Sequence, residues 1–296
     1  MAEEPHTANT IKHLVISGGG INGFVFYGVL KETCHQNIWN MNYIKTIYCT
    51  SIGSVLAVML SLKYDWPTID DYLIKRPWHQ VYKFDMYSIM DSFQKRGIFN
   101  VKVIEETFLP LFKGKDVSID ITMKEFYEMS GIELHIITTE TNEFVKVDIS
   151  HKTHPDWRVV DAVYCSSALP VIMAPFLKDG LCYCDGGALC NYPIQLCIDD
   201  GNNPDEILGV TKTANSALRK ITDESTLLDY VMMIMSKSVE KVLSVTKMSL
   251  IKHEYCVFSK TMSIYDIYTV ANSMDLRSQF IESGVEFAKN ATSSSD

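Results

Sequence analysis

The sequence predicts an α/β fold, a mainly parallel central sheet with helices on both sides. Three observations point there. A short buried-type strand at Leu14–Ser17 runs into Gly18-Gly19-Gly20-Ile21-Asn22-Gly23 and then a helical stretch to about Gln36. A second β-type run, Tyr43–Tyr48, passes through Cys49-Thr50-Ser51 straight into the apolar helical stretch Val55–Leu60. A third buried-type strand stands at Glu206–Thr211. Strands alternating with helices are the pattern of parallel α/β sheets.

Between these segments the reading continues in order. Residues 64–99 hold nine aromatics in 36 positions, about 25% against 11% for the chain, which reads as packed helices under a loop or as an apolar lid or acyl-chain wall. Glu133–Thr139 and Phe144–Ile149 form two strands across a short turn, and Val159–Ser167 forms a helix before Pro170. A strand-like segment then leads to Cys184-Asp185-Gly186-Gly187. Thr222–Met248 reads as a long amphipathic helix whose methionines fill core, and Met274–Ala288 as a closing helix. No linker divides the chain, so the expected organisation is a mobile segment over 1–10, one domain over 11–290 (motif core about 13–215, C-terminal helices about 222–290) and a tail over 291–296.

Composition excludes several functions. The formal net charge of −9 argues against a nucleic-acid ligand, whose phosphates need a basic footprint, and against electrostatic attraction to anionic membranes. Eight cysteines show no paired metal spacing, and Cys182-Tyr183-Cys184 lacks a second ligand pair, so no zinc site is expected. No signal-peptide pattern opens the chain and no apolar run reaches the roughly 20 residues that span a bilayer. The expected setting is intracellular, in the cytoplasm or peripherally at membranes, with free thiols.

The Cys49–Gly53 turn has the form of a nucleophile elbow, Gly-x-Ser-x-Gly, with cysteine in place of the first glycine. Gly18-x-Gly20-x-x-Gly23 satisfies the dinucleotide fingerprint literally, but the second strand ends without the carboxylate that would hold a ribose. The same backbone amides beside a nucleophilic serine would instead form an oxyanion hole. Ser51 needs a base. Asp185 followed by His253 fits the order of a hydrolase triad, yet His253 has no distinctive loop and the elbow comes too early for that fold. Asp185, in a turn with two glycines, is the better candidate; burial would have to raise its pKa from near 4.

The ordered set Gly18–Gly23, Thr50-Ser51-Ile52-Gly53 and Asp185-Gly186-Gly187 resembles the patatin-like phospholipases. Ala162–Pro170 with Pro175 is similar to that family's Ala-Ser-Ser-Ala-x-Pro block, Asn191-Tyr192-Pro193 to its Asn-x-Pro, and Ile121–Phe126 before Leu134 also looks familiar. The resemblance covers about residues 13–215. It implies a three-layer α/β/α fold and hydrolysis of phospholipid or lysophospholipid acyl esters. By it Ser51 is the nucleophile, Asp185 the base, and Gly18, Gly19 and Gly20 the oxyanion hole. Gly23, Thr50, Gly53, Gly186 and Gly187 support the turns. The expected partners are an acyl lipid and a transient peripheral membrane contact of apolar origin, with no metal or organic cofactor. Other acyl chemistry at the same dyad, or a lipid-binding protein that kept the fold, are the rival readings.

Overall fold

The computed structural model describes residues 11–83, 94–214, 251–259 and 264–293, together with position 92 and scattered positions from 221 to 237. Residues 1–10, most of the helix expected over Thr222–Met248, and the end of the expected tail lie outside the described residues. The strands are β1 (His13–Ile16), β2 (Thr46–Thr50), β3 (Gly97–Phe99), β4 (Glu133–Glu140) and β5 (Val145–Ile149). They continue with β6 (Val171–Met173), β7 (Phe176–Lys178), β8 (Leu181–Asp185), β9 (Ile207–Ala214) and β10 (His253–Ser259). The helices are α1 (Gly23–His35), α2 (Ile52–Ser61), α3 (Trp66–Lys75), α4 (Trp78–Val81) and α5 (Lys102–Lys113). After them come α6 (Met123–Ser130), α7 (Val159–Ser167), α8 (Ile194–Asp199), α9 (Ile264–Asn272) and α10 (Met274–Ser293).

The main sheet runs β10-β9-β1-β2-β4-β8-β7, with β5 also on β4. Strands β10, β9, β1, β2 and β4 are parallel, while β5, β8 and β7 are antiparallel additions. The expected mainly parallel sheet is present, and β3 with β6 forms a separate parallel pair.

Alternation along the central strands divides the core. Leu14, Ile16, Ile47, Cys49, Leu208 and Val210 face the larger apolar cluster, with residues of α1, α2, α5 and α7. Val15, Tyr48 and Ile207 face the other side, where Ile194, Leu196 and Ile198 of α8 cover them. A period of two with both faces apolar is what a sheet buried between helical layers requires. Helix α10 packs along α1 and runs past the expected end at Ala288 to Ser293. Among local signals, α6 begins with a full capping box, in which Thr122 and Glu125 bond each other's backbone amides, and ends at Gly131 in the left-handed region. Of the aromatic stretch, Tyr64, Trp66 and Tyr72 lie against the core and Trp78 is buried, while Phe84, Tyr87 and Phe93 lie outside the described residues.

The register at β4 positions the site. One edge of β4 carries β5, with Ile137 opposite Asp148 and Thr138 opposite Val147. The other edge is shared end to end. It pairs with β2 as far as Thr50 opposite Ile137, then with β8 from Asp185 opposite Thr138. The ends of β2 and β8 therefore meet head-on at consecutive residues of one strand.

Candidate active site

Ser51 occupies the turn between β2 and α2 with φ 53° and ψ −126°, a conformation that L-residues adopt only under constraint. Three contacts hold it there. Its amide donates to Ser166 Oγ at 2.8 Å, and Ser166 in turn donates to the Ile137 carbonyl at 2.5 Å. Ser54 Oγ donates to the Ser51 carbonyl at 2.6 Å. Gly53 allows α2 to approach the sheet: a Cβ there would lie 2.3 Å from the Ile16 carbonyl oxygen. Cys49, where the usual pattern has glycine, is wholly buried in β2 and donates its thiol to the His135 carbonyl at 3.4 Å. The elbow turns with that cysteine in place.

Head-on meeting of β2 and β8 brings Ser51 and Asp185 together. Ser51 Oγ donates to Asp185 Oδ2 at 2.7 Å, and the Gly187 amide donates to Asp185 Oδ1 at 2.7 Å. Asp185 is buried, and burial pushes its carboxyl pKa up to about 6, against the opposing pull of those two hydrogen bonds and of the Lys212 charge on β9. Gly186 carries the chain past β4, since a Cβ there would stand 2.1 Å from the Ile137 oxygen. Thr50 Oγ1 donates to the Cys190 carbonyl at 2.9 Å and ties the elbow to the turn after Asp185.

The glycine loop lies beside the serine. An added Cβ on Gly18 would meet Ser51 Cβ at 3.2 Å, and one on Gly23 would collide with Ile52. Of the three glycines expected to offer amides, Gly18 has its own engaged: it donates to the Asn191 carbonyl at 2.9 Å, while Asn191 Nδ2 donates to the Gly18 carbonyl at 3.1 Å. The Gly19 and Gly20 amides have no acceptor among the described residues, and Gly20 takes φ 55° as the loop turns into α1.

An apolar cavity of about 190 Å³ opens from this point. Gly20, Ser51 and Ser167 line it together with Phe24, Val55, Leu56, Met59, Leu73, Trp78, Tyr82, Ile172, Met173 and Val270. Trp78 and Tyr82 thus place part of the aromatic stretch on a cavity wall, beyond simple core packing.

His253 lies elsewhere. It begins β10, in register with Leu208, Leu14 and Ile47, three strands from β2 and four residues short of Ser51. Strand geometry puts it roughly 14 Å across and about 13 Å along the sheet from the serine. Among the described residues no group of three or more His, Cys, Asp or Glu side chains could hold a metal ion, and no helix is long and apolar enough to cross a membrane. Ser166 holds the Ser51 turn and Asn191 holds the glycine loop, contacts that the sequence did not reveal. Both stood in recognisable blocks, but nothing in those blocks says which backbone group each one holds.

The chain is similar to known proteins in sequence and in fold. The chain is 32% identical over 201 residues to uncharacterized protein R571 of Acanthamoeba polyphaga mimivirus, covering 68% of this chain and 65% of that protein. It is 27% identical over 187 residues to probable lipid hydrolase 463L of Invertebrate iridescent virus 6, covering 63% of each. The aligned region thus spans less than two thirds of each relative's length. Among solved structures, VipD from Legionella pneumophila shares the fold, with TM-score 0.55 and 15% identity over 93% of this chain and 67% of that one. The sequence model for patatin-like phospholipases matches residues 14–198, more than half the chain, and the protein belongs to that family.

Proposed function

We propose that this protein hydrolyses fatty-acyl esters of phospholipids or lysophospholipids with Ser51 as nucleophile and Asp185 as base. The observation that carries the reading is the Ser51–Asp185 hydrogen bond of 2.7 Å at the head of an apolar cavity. A carboxyl raised to about 6 remains mostly ionised at neutral pH and is a better proton acceptor than an ordinary aspartate. Family membership and the printed name of the iridescent-virus relative, a probable lipid hydrolase, support the substrate class.

In this mechanism Asp185 takes the Ser51 hydroxyl proton as Oγ attacks the ester carbonyl. The Gly19 and Gly20 amides, left without acceptors, hold the oxyanion, while Gly18 anchors the loop through Asn191. Collapse breaks the ester C–O bond, and protonated Asp185 returns its proton to the leaving alcohol. Water then attacks the acyl-enzyme, Asp185 taking its proton, and as the acyl C–Oγ bond breaks Asp185 returns that proton to Ser51 Oγ, releasing the fatty acid and free Ser51. Residues 11–290 serve as one catalytic domain, and contact with a membrane is transient and apolar in origin.

Labelling with a fluorophosphonate probe, alongside release of fatty acid from phospholipid and lysophospholipid vesicles, tests this. The native protein labels and hydrolyses; Ser51→Ala does neither; Asp185→Asn loses at least 100-fold in rate. Labelling that survives Ser51→Ala sinks the nucleophile assignment. Full activity in Asp185→Asn sinks the dyad.

A further inference from the structure

Among the polar side chains that line the cavity beneath Ser51, one carries a buried oxygen with no hydrogen-bond partner among the described residues. Trp78 Nε1 donates to the Leu73 carbonyl at 2.9 Å, and Thr107 Oγ1 donates to the Val103 carbonyl at 2.7 Å. Arg277 distributes its guanidinium donors over the carbonyls of Ile74, Arg76, Val270 and Ala271. Ser51 bonds Asp185.

Ser167 is the residue with the unpartnered oxygen. Its Oγ is buried and has no hydrogen-bond partner among the described residues, and the residue is part of the wall of the cavity that Ser51 lines. A buried hydroxyl left unpaired costs free energy, which a partner entering the cavity would recover. The position is firmly held. Ser166, its neighbour, accepts the Ser51 amide and donates to Ile137, which fixes the end of α7 to the elbow. The Leu169 amide donates to the Ser167 carbonyl at 2.8 Å, so the following turn is tied down as well. Beyond it the wall is apolar, with Leu169, Ile172 and Met173. A hydrocarbon chain in this cavity offers nothing to a hydroxyl, whereas the ester that joins the chain to Ser51 carries two oxygens.

Building on the acyl-ester reading above, we propose that the Ser167 hydroxyl donates a hydrogen bond to an oxygen of the bound ester. It is then a substrate contact separate from the nucleophile and from the glycine amides. It aligns the ester over Ser51 and takes no proton.

The test uses the full chain in two backgrounds. In Ser51→Ala, which cannot turn over, affinity for a 1-acyl lysophosphatidylcholine below its micelle concentration is measured by calorimetry with and without Ser167→Ala. In the native background, kcat and KM for the same lipid are measured for Ser167→Ala and Ser167→Thr. The expected result is about a tenfold loss of affinity and of kcat/KM on removing the hydroxyl. Ser167→Thr, which keeps it, stays close to the native values. The Tm of the unliganded Ser167→Ala protein does not fall, since the hydroxyl makes no bond in the free protein. Affinity and kcat/KM within twofold of the parent overturn the proposal, as does a loss that follows a lowered Tm. If the native chain neither labels nor hydrolyses, yet Ser51→Ala binds the lipid in a Ser167-dependent way, the hydrolase reading fails and this one stands. Hydrolysis that is indifferent to Ser167→Ala gives the reverse.

Discussion

Ser51 Oγ and Asp185 Oδ2 stand 2.7 Å apart because Thr50 and Asp185 are the partners of consecutive β4 residues, Ile137 and Thr138. A single strand thus sets the distance between two side chains 134 positions apart in sequence. The approach leaves no space at Gly186, where a Cβ would meet the Ile137 oxygen at 2.1 Å and Thr50 Cγ2 at 3.1 Å. Gly186→Ala must push β8 away from β2. A displacement near 1 Å costs about 100-fold in rate. The expected outcome is a kcat lowered to that degree, read in the same vesicle assay. Native turnover in this variant would mean that the end-to-end register does not set the dyad.

The raised Asp185 pKa fixes a pH limb. In the proposed mechanism the carboxylate form is the base, so half of the free protein is competent near pH 6. Below that, log kcat/KM falls with a slope of one per pH unit; above it the rate is level until another group titrates. Removing the opposing cation in Lys212→Met moves the limb to higher pH, because the Lys212 charge holds the Asp185 pKa down. A profile that stays flat down to pH 4.5 on an uncharged ester substrate would reject Asp185 as the base.

The same shift makes Asp185 a cost to folding at neutral pH. Its folded pKa, about 6, lies above that of an unfolded aspartate, so the native state holds the proton more tightly between about pH 4 and 6. Stability from this group is full below the unfolded pKa and is lost as pH rises through the folded one. Asp185→Asn, which cannot ionise, should therefore raise stability at pH 7.5, on the order of 2 kcal/mol. The gain should vanish near pH 4. Denaturant unfolding at the two pH values checks it; equal effects at both would rule out linkage as the cause.

Sequence reading located the Ser51 turn, the Asp185 turn and the glycine loop because the residue types of each are dictated locally. Ser51 follows a strand and precedes an apolar helix, and Asp185 precedes two glycines; both signals lie within a few residues. The helix Val159–Ser167 was legible for the same reason. What stayed hidden depends on pairing across the sheet. Nothing near Ser166 says that its hydroxyl bridges the Ser51 amide and the Ile137 carbonyl, and nothing near Asn191 says that it claims the Gly18 amide. Strand β10 was missed because His253–Ser259 mixes polar and apolar residues without strict alternation and gains its place from β9. His253 could be set in a triad on paper only while its strand was unknown.

Cys49 is the residue where the sequence departs from the usual elbow, and the structure turns that departure into a prediction. The side chain is fully buried between Ile16 of β1 and Ile136 of β4 in register, and its thiol reaches the His135 carbonyl. Burial pushes the Cys49 thiol pKa well up, so it stays protonated and unreactive. Restoring glycine would leave a small void, loosen the strand and remove one weak hydrogen bond. Cys49→Gly should therefore cost about 2 kcal/mol of stability. Activity should gain nothing, because Ser51 already takes φ 53° with the cysteine present and is held by Ser166 and Ser54. Thermal unfolding and kcat measured together decide the point. A kcat more than about threefold higher in Cys49→Gly would show that the cysteine restrains the elbow, whereas an unchanged kcat with a lowered Tm places its role in the sheet.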